Sequence, residues 1–232
     1  MTSQLSVRRH AWHIEPREYA RQEQRRGRRH AFQRLAARRT ALVVIDMVPF
    51  FVSGSAFCRG IVPNITRLAD RLRAAGGLVT WIIPGPQQHG ALAEEFFGPR
   101  VAEVFGKSGG DSAPASRLWP AFTPHAEDPV MEKSSFSAFF PGSSALPALL
   151  QERAIDTVLI TGTLTNICCE SSARDANASG FRVIMVADAN AARRDQDHNA
   201  ALHNIYRSFG DVGPTAEMLD LIDAEEAGQG PS

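Results

Sequence analysis

Three side chains that lie far apart in this sequence could do nucleophilic chemistry together. Cys168 stands in the block TGTLTNICCESSARDA, residues 161–176, next to Cys169. The apolar run Thr157–Thr161 reads as a buried strand, Gly162 breaks it, and Thr163–Asn166 supplies turn and N-cap residues before a helix. A thiol in the first helical turn lies over unpaired N–H groups and the positive end of the helix dipole, and both favour the thiolate. Asp46 ends the run Ala41–Ile45, and Lys133 ends Val130–Glu132; the chain's other lysine is Lys107. The carboxylate can take the thiol proton and return it to a leaving amine, while the ammonium stabilises both anions. The turn and helix N-terminus offer backbone donors to an oxyanion. Plainer readings stand beside these. The cysteines can simply pack the helix on the sheet, and the aspartate can cap its turn.

For the three to meet, the strands carrying them must be parallel neighbours, because the carboxyl ends of parallel strands share one edge. The rest of the chain predicts that arrangement. Pro63–Ala75 reads as a helix ended by Gly76-Gly77, and Leu78–Ile83 as a second strand closed by Pro84-Gly85-Pro86. Ser144–Arg153 and His198–Phe209 read as helices, Arg182–Val186 as a strand, and Pro214–Ile222 as a last strand and short helix. Alternating short apolar strands and helices predict a three-layer α/β/α fold around a mainly parallel sheet. The long connection from Pro84 to Asp128 holds only a short amphipathic piece, Ala91–Phe105, and is expected to cover a site.

At 232 residues the chain suits one α/β domain, read as residues 40–223 between a basic arm, 1–39, and a polar, mobile tail, 224–232. The formal net charge is zero, but residues 1–40 hold eleven Arg against Glu15, Glu18 and Glu23, so the body is acidic. That body offers no nucleic-acid surface. The arm, with Arg25, Arg26, Arg28 and Arg29, is expected to be solvated or to lie across a neighbouring subunit of a homodimer or homotetramer. Three cysteines, two of them adjacent, make no disulfide framework and fit a reducing cytoplasm. No apolar run approaches the roughly 20 residues of a membrane span.

Several motifs together resemble the isochorismatase-like cysteine hydrolases. They are Ala-Leu-Val-Val-Ile-Asp-Met at 41–47, Glu-Lys-x-x-Phe-Ser-Ala-Phe at 132–139, the 161–176 block, and Asp188-Ala-Asn-Ala with His198 and Ala201-Leu202 beyond. The resemblance covers about residues 40 to 215 of the sequence. It implies an Asp46–Lys133–Cys168 triad and a cis peptide between Thr163 and Leu164 that aims the N–H groups of Leu164 and Cys168 at an oxyanion. Members resembling true isochorismatases lack the cysteine, so its presence implies amide hydrolysis through a covalent thioester, with no cofactor.

Two departures bear on the substrate. Where the family often has Gln-Asn-Asp-Phe, this chain has Val48-Pro49-Phe50-Phe51, an apolar wall. Nicotinamidase-like members carry an Asp-x-His metal site after the second strand, whereas this stretch runs Ile83–His89 without one. No metal is therefore expected, and His89 and His125 read as surface loop residues. Phe50, Phe51, Trp81 and Phe136 are the candidate substrate contacts, with Val48, Phe139 and Phe140 nearby, and about half of this set is expected to be core. The reading is a hydrolase of a small-molecule linear or cyclic amide. The alternatives are an ester or vinyl-ether hydrolase on the same fold, or a non-catalytic binding protein whose Cys168 and Cys169 sense oxidants. An acid and base beside the thiol argue against a sensor.

Overall fold

The computed structural model describes residues 6–85 and 91–228. Six strands form one parallel sheet in the order β3-β2-β1-β4-β5-β6. They are β1 (Thr40–Ile45), β2 (Leu78–Pro84), β3 (Val130–Lys133), β4 (Thr157–Thr163), β5 (Arg182–Ala191) and β6 (Asp211–Gly213). Every residue of β1 is buried, because helices cover both faces of the sheet. Alternate β1 side chains divide between two cores. Leu42 and Val44 join α3 (Ala56–Ala74) and α9 (Thr215–Gly228) on one face. Ala41, Val43 and Ile45 face α6 (Leu146–Glu152), α7 (Glu170–Ala178) and α8 (Asp195–Ser208) on the other. The result is the three-layer α/β/α sandwich that the alternating elements predict.

Two local features set the edge where the strands end. A β-carbon on Gly162 would collide with the Ile45 carbonyl, and its φ of 116° suits only glycine, so β1 and β4 can close together just before Asp46. Beyond β2, α4 (Ala91–Phe97) and α5 (Pro99–Gly106) lie over that edge. Elsewhere the elements differ in extent from expectation. Helix α3 starts at Ala56, well before Pro63, because the Ser55 hydroxyl caps it by accepting the Cys58 N–H at 3.2 Å and Phe57, Cys58 and Ile61 are buried. Burial outweighs the one donor that Pro63 lacks. At the other end α9 runs through Ala224 to Gly228, with Glu225 accepting the Ala37 N–H, so the segment expected to be mobile is helical that far.

The arm is not a solvated strap. Helix α1 (Pro16–Arg26) buries Glu18 and Gln22, and the Tyr206 hydroxyl donates to the Arg29 carbonyl at 2.6 Å. The buried Asp211 accepts the N–H groups of Ala31 and Phe32 at 2.6 and 3.2 Å and lies 3.0 Å from His30 Nδ1. That bond raises the His30 pKa above the ordinary histidine value. A raised folded-state value stabilises the charged ring, so the contribution is complete below about pH 6.5 and disappears as pH rises through the shifted pKa. Limited proteolysis within residues 6–39 should therefore speed up from pH 6 to pH 9 in the native chain. In His30→Gln it should change far less with pH, and equal pH dependence in the two proteins would exclude this role for His30.

Candidate active site

Asp46 follows the last residue of β1 with φ 55°, a left-handed conformation, and its N–H donates to the Ile82 carbonyl at 2.8 Å. Lys133 is the last residue of β3. Cys168 sits in a π-helical turn, Thr165–Cys169, between β4 and α7. Because β3, β2, β1 and β4 are consecutive in the sheet, the three meet at one edge. Lys133 Nζ lies 3.0 Å from Asp46 Oδ2 and 3.5 Å from Cys168 Sγ, and it donates to the Ser135 carbonyl at 3.1 Å. All three side chains are buried.

Burial governs their protonation. It raises the Asp46 carboxyl above the ordinary carboxylate range, although Lys133 and the Cys168 thiol counteract it. Burial alone would lower Lys133, but the charge of Asp46 and the hydrogen bonds to Asp46 and Cys168 outweigh it and hold the ammonium. Cys168 is pushed well up, first by burial and then by the negative charge of Asp46. This corrects the expectation from the helix terminus. A thiol sealed from water beside a carboxylate rests protonated, and the positive end of a helix does not offset that. Cys169 is raised as well, is fully buried, and turns its sulfur toward the Thr161 carbonyl at 4.0 Å. The expected cap is also absent in form: the turn starts from Leu164 without a side-chain cap, and Asn166 is exposed.

The Thr163–Leu164 peptide is cis. Thr163 is buried, its hydroxyl donating to the Ala191 carbonyl at 3.2 Å, while Leu164 lines the cavity above the triad. That cavity holds about 600 Å³, and its floor is Asp46, Lys133 and Cys168. Its walls are mostly apolar: Phe51, Pro84, Leu92, Ala93, Phe96, Phe97, Phe105, Phe136, Leu164 and Ile167, with Ser108, Ser134 and Ser135 as polar exceptions.

The candidate substrate contacts divide. Phe51 and Phe136 line the cavity. Phe50, on the short helix α2 (Pro49–Val52), does not; it is exposed and packs edge-on against Phe51 at 4.8 Å and near Phe105 at 6.3 Å. Trp81, expected at the substrate, is core instead. It precedes the end of β2 by three residues and points into the α3 face, where its indole N–H donates to Asp128 at 3.2 Å and its ring packs on Phe122. Val48 and Phe139 are buried too, Phe139 against Phe181, and Phe140 is exposed away from the cavity. The sequence reading missed Leu92, Phe96, Phe97 and Phe105. Their amphipathic spacing within 91–105 was visible, but its apolar face could not be assigned to a site without the sheet beneath it. His125 lies in a loop 3.5 Å from Glu127, and His89 is outside the described residues. Among the described residues, no three His, Cys, Asp or Glu side chains gather as metal ligands would. No helix among them is long and apolar enough to cross a membrane.

Known proteins share this architecture. A model of the isochorismatase domain matches residues 40–217. Nicotinamidase 3 of Arabidopsis thaliana is 31% identical over 172 residues, covering 73% of this chain and 81% of its own. Maleamate amidohydrolase of Pseudomonas putida is 30% identical over 189 residues, covering 80% and 87%. Among solved structures, a cysteine hydrolase from Pseudomonas syringae pv. phaseolicola superposes with a TM-score of 0.70 at 27% identity, covering 82% of this chain and 95% of that one. With the domain matched over most of its length and its parallel sheet in place, the chain belongs to the isochorismatase-like hydrolase family.

Proposed function

We propose that the protein is a cysteine hydrolase that cleaves a C–N bond of an amide, lactam or carbamoyl-type substrate through a thioester on Cys168. The observation that carries this reading is the meeting of Asp46, Lys133 and Cys168, with Lys133 Nζ 3.0 and 3.5 Å from the other two, on the floor of a largely apolar cavity. The similarity to a nicotinamidase and a maleamate amidohydrolase supports it. In the acylation step Asp46 takes the Sγ proton as sulfur bonds to the carbonyl carbon. The carbonyl π electrons move to oxygen, toward the N–H groups of Leu164 and Cys168. As the C–N bond breaks, Asp46 returns its proton to the departing nitrogen. Asp46 then takes a proton from water, whose oxygen adds to the thioester, and the thiol is reprotonated as the acid leaves. Lys133 keeps its proton throughout and offsets whichever anion is present.

The walls support a substrate class. Among the described lining residues Lys133 is the one cation, and it is engaged by Asp46, so the cavity offers no arginine to grip a carboxylate. A volume of about 600 Å³ suits a drug-sized molecule. Amides with an aryl or cyclic acyl part should therefore be preferred, each apolar group adding about 1–2 kcal/mol through area removed from water. Measured kcat/KM for an aryl or cyclic amide should exceed that for a carbamoylated amino acid by roughly tenfold or more. Faster turnover of the charged ureide would refute the apolar class while leaving the thioester route standing.

A further inference from the structure

The arm is built into the support of the active site. Its backbone crosses α3 at Gly60, where Arg8 N–H donates to the Ala56 carbonyl at 3.0 Å and a β-carbon would collide with the Arg8 carbonyl. That crossing sets His10 between Phe57 of α3 and His198 of α8. The three rings are nearly parallel, with centroids 3.9 Å apart on one side and 4.2 Å on the other. Ala192 N–H donates to His10 Nε2 at 3.1 Å, so the proton of His10 is on Nδ1, 2.6 Å from Asp195 Oδ1. The ring is thus fixed on both edges and both faces. His198 is fully buried, and that burial lowers its pKa to about 3, which leaves it neutral at any working pH. Its Nδ1 is 2.8 Å from the Thr165 hydroxyl. Thr165 opens the π-helical turn that carries Cys168, and its carbonyl accepts the Glu170 N–H at the far end of that turn. The hydrolytic steps use none of these three residues.

We propose that the arm is a positioning element of the active site: His10 holds His198 by stacking, and His198 holds, through Thr165, the turn that presents Cys168. The proposal rests on Cys168 as nucleophile, and its failure can be told apart from failure of that reading. Activity surviving in Cys168→Ala overturns the nucleophile. The arm is judged instead by how fast Cys168 reacts with iodoacetamide, mapped by peptide mass, and by kcat and KM on the best amide of a panel.

His10→Ala and Thr165→Val should each slow alkylation and kcat on the order of tenfold, with KM within about twofold, because small displacements of a reacting atom are costly in rate. Thr165→Ser keeps the hydroxyl and His10→Phe keeps the stacked ring, so both should stay within about twofold of the native rates. The double variant His10→Ala/Thr165→Val should be no slower than about the slower single, since one linkage is broken twice. Native rates in a folded His10→Ala protein would overturn the proposal, as would a multiplicative loss in the double variant. If His10→Ala does not fold, Thr165→Val against Thr165→Ser decides alone. Equal rates in those two contradict the linkage, and a tenfold gap supports it.

Discussion

Replacing Cys168 by alanine is expected to abolish turnover, while Cys169→Ala keeps most of it. The two residues are adjacent, and adjacent side chains on a helical turn diverge by about 100°. Only Cys168 faces the cavity, with Lys133 3.5 Å from its sulfur. Cys169 has no exposure and turns toward β4, so its loss should cost on the order of 1 kcal/mol of stability and little rate. Cys168→Ser should be nearly as inactive as alanine, because a hydroxyl is harder to ionise than a thiol that burial has already raised. Turnover by amide panel and melting temperature by calorimetry check both halves. A Cys168→Ala protein with native kcat, or iodoacetamide labelling confined to Cys169, contradicts the assignment.

Asp46→Asn should lower kcat by a factor on the order of 10² to 10⁴ while the chain still folds. The amide keeps the size of the carboxylate but cannot take a proton from sulfur. The protonation balance makes this loss large. Cys168 rests as a thiol, so without a base the nucleophile is not formed. In the native enzyme the acid limb of kcat/KM against pH should sit above the ordinary carboxylate value, since burial raises Asp46, and activity falls as pH drops through that raised value. The limb should vanish in Asp46→Asn. Asparagine at this position would also leave Lys133 without its ion pair, so circular dichroism and a melting curve must accompany the kinetics. Near-native activity in a well-folded Asp46→Asn protein would rule Asp46 out as the proton carrier.

Much of this site could be seen in the chain because its parts have local signatures. Apolar runs of five residues before Asp46 and Gly162, and the short Val130-Met131-Glu132 before Lys133, announce strands, and a parallel sheet brings such ends to one edge. What the sequence could not show depends on contacts without a local mark. Trp81 reads as well for cavity as for core, because in a strand buried on both faces hydrophobic pattern does not say which side a residue takes. Phe96 and Phe97 needed the surface beneath α4 before they could be placed. The His10–His198–Thr165 linkage joins the arm to the late helix and the central turn, and one of three histidines in an Arg-rich arm carries no sign of such a partner. The state of the thiol is hidden for a related reason: the helix dipole can be read from sequence, but the burial that outweighs it cannot.

The most direct test of the thioester route is mass spectrometry of the enzyme quenched with acid during turnover of an aryl amide, followed by peptide mapping. The account predicts a mass increase equal to the acyl part of the substrate, located on the peptide containing Cys168, present during turnover and gone when substrate is exhausted. Turnover of the same amide with no adduct on Cys168 at any time within the first cycle, or with the adduct on Cys169, would contradict it.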